Sequence, residues 1–156
     1  DQGSIWRFGP QIDKLTRPDS TPVTAADPQA EGFIALEQDY IEYQDKVYFA
    51  YQKSHANQSV TLRIFSLDRS GQLYFRDYPL SKPGMYFFAC DQAFYVSLSD
   101  GFWRLEDGWI LEAYHPCLKE ITWSYCCLDP RRLAFATQDR TVLVEIPRYS
   151  NAADSL

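Results

Sequence analysis

The chain has 156 residues, 46% of them apolar and 16% aromatic, with a formal net charge of −6. This length predicts a single domain (residues 1–156) able to bury a real core, and the acidic balance excludes nucleic acid and anionic membrane surfaces, which need clustered Lys and Arg. Eleven Tyr and ten Phe against one Met favour strands over a helical bundle, and no apolar run reaches the length of a membrane span.

Taken in order, residues 3–9 (GSIWRFG) read as a short aromatic strand closed by Gly9-Pro10. Residues 10–32 hold Pro10, Pro18, Pro22 and Pro28 among Thr, Ser, Asp and Ala, the composition of an irregular surface connection. Strands are then predicted at Phe33–Leu36, Tyr40–Tyr43, Lys46–Gln52 and Val60–Leu67, with a polar tip at Lys53–Ser59. A turn at Asp68–Gly71 leads into Gln72–Tyr78, which Pro79 is expected to end. Met85–Cys90 (MYFFAC) is almost wholly apolar, the mark of a central strand buried on both faces.

Residues 91–110 (DQAFYVSLSDGFWRLEDGWI) read as two strands meeting at Ser99-Asp100-Gly101, with a second turn at Asp107-Gly108. Asp-Gly between alternating apolar residues is a strong hairpin signal, and Gly101 is expected to supply the positive φ of a primed turn. Further strands are predicted at Trp109–Tyr114, Ile121–Cys127, Leu133–Thr137 and Thr141–Ile146, with turns at Asp129-Pro130 and Asp139-Arg140. Pro147 ends the last strand, and 148–156 reads as a frayed polar tail.

Three segments share one pattern. Asp45, Asp91 and Asp129 each lead an apolar strand, a polar tip and another strand, at offsets of 46 and 38 residues. Repeats of this length built from up-and-down strands are characteristic of propeller blades. Three units are too few for an ordinary closed propeller. The expected fold is therefore all-β, with antiparallel sheets in a blade-like, incomplete or minimal β-propeller arrangement, and a β-sandwich as the alternative.

The four cysteines, Cys90, Cys117, Cys126 and Cys127, show no CxxC spacing, and an even count without metal or redox motifs favours an oxidising compartment. Adjacent Cys126 and Cys127 point to opposite faces of a strand, and one bridge from Cys117 to either of them is expected, although four cysteines allow three connectivities. The chain opens at Asp1 without a signal peptide, as a processed mature form or a trimmed piece would.

Catalytic motifs are sparse. The two histidines are His55, in a polar tip, and His115, before Pro116; there is no nucleophile elbow and no Gly-rich phosphate loop. His115 with Cys117 is the nearest approach to a Cys-His pair, and adding Cys126 or Cys127 gives zinc-ligating atoms without a zinc spacing. Most Asp and Glu sit at turns, where they support backbone. Asn57-Gln58-Ser59 matches a glycosylation acceptor, a motif common by chance. The chain is thus expected to be no enzyme, with no metal and no cofactor. What remains is the slim hairpin end Ser97, Ser99, Asp100 and Gly101, backed by Phe102 and Trp103, which is shaped to enter a partner's cleft.

At this hairpin, Tyr95-Val-Ser-Leu-Ser-Asp-Gly-Phe-Trp103, together with its acidity, small size and even cysteine count, the chain resembles the periplasmic immunity proteins that neutralise type VI secretion peptidoglycan amidases. The likeness is to the partners of NlpC/P60-type cysteine amidases of Pseudomonas. It implies a periplasmic inhibitor that occludes the catalytic Cys-His pair of a cysteine amidase effector. Ser99, with Ser97 as the alternative, would bond the enzyme's His, while Asp100 and Gly101 hold the loop. The competing reading is a propeller-like scaffold or carbohydrate-binding module from a larger protein, with Trp6, Trp103, Trp109 and Trp123 stacking on sugar rings.

Overall fold

The computed structural model describes residues 5–10, 31–38, 41–106, 109–121 and 124–147. Most of the 10–32 connection, the Asp107-Gly108 turn, Trp123 and the 148–156 tail lie outside them, as does the side chain of Trp6.

The described residues are all-β. Sheet A takes the order β1 (Ile5–Pro10), β11 (Trp109–Tyr114), β10 (Gly101–Glu106), β9 (Ala93–Leu98), β8 (Gly84–Cys90) and β3 (Glu37–Gln38). Sheet B runs β2 (Ile34–Ala35), β5 (Lys46–Ser54), β6 (Val60–Leu67) and β7 (Leu73–Leu80), with β4 (Ile41–Tyr43) also on β5. Sheet C is β12 (Tyr125–Asp129), β13 (Arg132–Ala136) and β14 (Thr141–Glu145). All pairings are antiparallel except that of β3 with β8. The three sheets do not close into a barrel.

Each sheet holds one unit of the sequence repeat. Asp45, Asp91 and Asp129 stand at the β4–β5, β8–β9 and β12–β13 turns, and the polar tips join β5 to β6, β9 to β10 and β13 to β14. The units in sheets A and B go on to a further strand, β11 and β7, whereas the unit in sheet C stops at β14 among the described residues.

Sheet A is the middle layer, because its strands alternate between two apolar faces and leave none for water. Tyr86, Phe88, Tyr95, Phe102 and Leu111 pack with Leu133, Phe135, Val144 and Ile146 of the sheet C side. Phe87, Val96, Leu98 and Trp103 pack with Ala50, Leu62, Ile64 and Tyr78 of sheet B. Phe87 and Phe88 are neighbours in sequence yet serve different cores, at 0% and 2% exposure. Full burial of side chains this size contributes about 1.5–3 kcal/mol each. The near-continuous apolar run of β8 therefore has the meaning expected of it.

Pro79 does not end its strand. It pairs with Thr61 and the strand continues to Leu80, because β7 is a sheet edge where a missing N–H costs no ladder bond. The disulfide also differs from expectation. Cys127 is bonded to Cys90, with the Cα atoms 5.9 Å apart, while Cys117 and Cys126 are free and exposed. Alternation explains the choice: Cys127 lies opposite Leu133 and turns toward sheet A, whereas Cys126 turns out to solvent.

Candidate functional site

Leu98 pairs with Gly101, so the hairpin between β9 and β10 is closed by two residues, Ser99 and Asp100. Neither residue, nor Gly101, takes a positive φ; the left-handed pair lies at the opposite end of the molecule, at Gln44 (47°) and Asp45 (61°). The glycine is required for a different reason. A Cβ on Gly101 would lie 1.9 Å from the carbonyl oxygen of Ala113, so only a residue without one lets β10 pass β11 here.

The tip is fastened from outside the hairpin. The Asp100 carbonyl accepts from the His115 N–H at 3.0 Å, and the Ser99 carbonyl accepts from the Glu120 N–H at 2.9 Å. Glu120 holds a left-handed φ of 61° to reach it, a conformation that costs a non-glycine residue about 1–2 kcal/mol. Lys82 Nζ lies 2.8 and 2.7 Å from the Asp100 carboxylate oxygens and 4.5 Å from the centre of the Tyr114 ring. The hydroxyl of Ser81 bonds that of Tyr114, and its N–H donates to Glu112 at 3.1 Å. Both connections that lead from one sheet to the next on this side thus brace the tip. The Ser99 side chain is exposed, and its hydroxyl makes no hydrogen bond to a described residue.

The candidate residues therefore separate. Ser99 is exposed and Asp100 is half-buried; Gly101, Phe102 and Trp103 are buried, the last two completely. Ser97 is 2% exposed, and its hydroxyl accepts from the Tyr86 N–H at 3.1 Å where the β8–β9 register shifts. Ser97 is a core hydroxyl that repairs a bulge, out of reach of any partner in this conformation. Trp103 packs edge-on against Tyr78, 5.6 Å between centroids, and offers no face to a sugar ring. Trp109 is half-buried, with the Arg104 guanidinium 5.2 Å from its ring.

His115 and Cys117 are joined as a cap. The His115 Nδ1 accepts from the backbone N–H of Cys117 at 3.0 Å and opens the 3-10 turn Pro116–Leu118. No group of three or more metal-binding side chains comes together among the described residues. The turn carboxylates serve the backbone. Asp68 accepts from Ser70 and Gln72, and the Ser70 hydroxyl chiefly holds its carboxyl below the usual range. Asp129 is lowered chiefly by the Arg131 N–H, then by Arg132. Beside the tip, Pro116, Cys117, Lys119, Glu120, Gln138 and Arg140 line an open polar hollow.

Sequence reasoning missed Lys82, His115 and Glu120 as the tip's supports. Lys82 and Asp100 are 18 residues apart, with no local pattern to pair them. No family model matches the chain, and neither a curated protein nor a solved structure matches it. No helix among the described residues is long and apolar enough to cross a membrane.

Proposed function

We propose that the chain is an inhibitor that occludes the active site of a secreted peptidoglycan amidase, inserting the Ser99–Asp100 tip into the enzyme's groove. The observation that carries this reading is an exposed Ser99 hydroxyl, with no hydrogen bond to a described residue, on a two-residue tip that Lys82, His115 and Glu120 hold in place. A loop backbone ordered before binding spares part of the usual entropy cost. The Ser99 hydroxyl, able to donate and to accept, bonds the imidazole of the amidase's catalytic pair, and the adjacent backbone fills the space a substrate peptide needs. Asp100, neutralised by Lys82, sets the turn and does not carry free charge into the groove. The Cys90–Cys127 bridge supports an oxidising compartment, and the periplasm is the one in which such an amidase acts. An inhibitor of this kind needs no catalytic group, metal or cofactor of its own.

Calorimetric titration against a purified NlpC/P60-type amidase effector tests the reading, with wild type and Ser99→Arg compared. Tight binding by wild type and at least a hundredfold loss in the variant is the expected result. Equal binding by both moves the contact away from the tip, and no binding by either overturns the assignment.

A further inference from the structure

A stable protein complex buries about 800 Å² on each partner and draws on roughly 20–30 residues. The tip offers two, Ser99 and a half-buried Asp100, so a tight contact centred there has to spread over the surface around it. The fold limits where it can spread. Val60, at the base of the β5–β6 tip, pairs with Leu80, and the next residue, Ser81, braces the hairpin through Tyr114. On the other side Glu120 bonds Ser99, and the hollow beside it is walled across by Gln138 and Arg140 of the β13–β14 tip. The tips of all three sequence units thus stand at one end of the molecule.

The two flanks differ in what they leave unpaired. The β5–β6 tip spends its polar groups on itself: the Ser59 N–H and hydroxyl donate to Asn57 Oδ1 at 3.1 and 2.6 Å, and His55 Nε2 bonds the Thr61 hydroxyl at 2.8 Å. In the hollow, Arg140 is held by Asp139. The exposed Lys119 ammonium and Glu120 carboxylate, by contrast, have no hydrogen bond or ion pair among the described residues. The hollow measures about 510 Å³. That lies within the ~300–1,000 Å³ of sites that enclose a drug-sized group, and it has room for side chains of a protein loop. The Cys117 thiol is exposed on its wall.

We propose, on the reading of the tip as an inhibitor's contact, that this hollow is the second half of the interface. With the tip in the amidase groove, a loop on the groove's rim sits in the hollow and brings a carboxylate to Lys119 and a basic side chain to Glu120. Complementary charges at the edge of a contact reject partners of similar shape and wrong sign. Lys119 and Glu120 are therefore the residues that match the inhibitor to one amidase among several with the same catalytic pair.

Thiol footprinting of the wild-type complex with a purified NlpC/P60-type amidase tests this, with peptides separated by mass so that the enzyme's own cysteine is told apart. At saturating enzyme, Cys117 should react with iodoacetamide about tenfold more slowly than in the free chain, because the contact excludes solvent. Cys126, exposed on sheet C away from the hollow, should keep its rate. Lys119→Glu should weaken calorimetric binding about tenfold, and Lys119→Arg should retain it. A complex in which Cys117 reacts as fast as in the free chain overturns the hollow and leaves the tip standing. Protection of Cys117 in a complex that Ser99→Arg does not weaken supports the hollow and removes the tip. Protection with full binding by Lys119→Glu overturns the charge pairing. If no complex forms, both halves of the interface fall.

Discussion

Cys90 and Cys127, 37 residues apart, join the end of β8 in the middle sheet to β12 of sheet C. The bond closes a loop that contains β9, β10 and β11. In the unfolded chain the bond keeps these segments within one closed loop, which lowers the entropy gained on unfolding.

Breaking that bond should lower stability by about 3–4 kcal/mol, the chain-entropy expectation for a loop of this length. Urea unfolding of Cys90→Ser/Cys127→Ser against wild type measures it. Cys117→Ser should change the midpoint little, because that thiol is free and exposed. The opposite ranking would mean that Cys117 holds the fold together and that the pairing is misassigned.

Gly101→Ala should destabilise by about 3 kcal/mol or more, since the new methyl meets the backbone carbonyl of Ala113, which cannot step aside. Gly71→Ala provides the contrast. That glycine has a φ of 81° and open space around it, so only the left-handed conformation counts against alanine, about 1–2 kcal/mol. Thermal unfolding of the two variants should rank them in that order, and Gly101→Ala should also weaken partner binding by displacing the tip.

Asp139 gives a titration with a definite sign. The Arg140 guanidinium, and then the Thr137 hydroxyl, hold its carboxyl down from the ordinary 3.8 to about 2. A carboxyl lowered in the folded state favours folding above its unfolded value, and that contribution fades as pH falls from about 3.8 to about 2. Carbon-13 shifts of the Asp139 carboxyl should show the low midpoint in wild type and a return toward the ordinary value in Arg140→Gln. A wild-type midpoint already near the ordinary value would refute the contact.

Much of this fold is readable in the chain because β-structure writes itself locally. Val60–Leu67 and Trp109–Tyr114 stand where alternation and turn residues put them, and the apolar run Met85–Cys90 announces a strand with no wet face. Leading Asp residues marked the three sheets, since each sits at the same turn. What escaped was whatever depends on a neighbour distant in sequence. Pro79 continues its strand because no described strand lies beyond that edge, and Cys127 finds Cys90 because sheets A and C are stacked. Gly101 is fixed by Ala113 on the next strand, where sequence alone offered a turn conformation. The site was half legible for the same reason: Ser99 stands at the tip as expected, but Ser97, Phe102 and Trp103 have both faces of the sheet covered.

The connections that carry the chain from sheet B to A and from A to C both cross at the end bearing Ser99 and Asp100, where they bond to the hairpin or to β11 beside it. The opposite end holds hairpin turns, such as Gln44-Asp45 and Asp68–Gly71, whose residues are largely exposed. The molecule therefore has a stiff pole and a permissive one. A fluorophore, an affinity tag or a surface tether belongs at Asp68–Gly71, where added residues lengthen a solvent loop and leave the far pole presented outward.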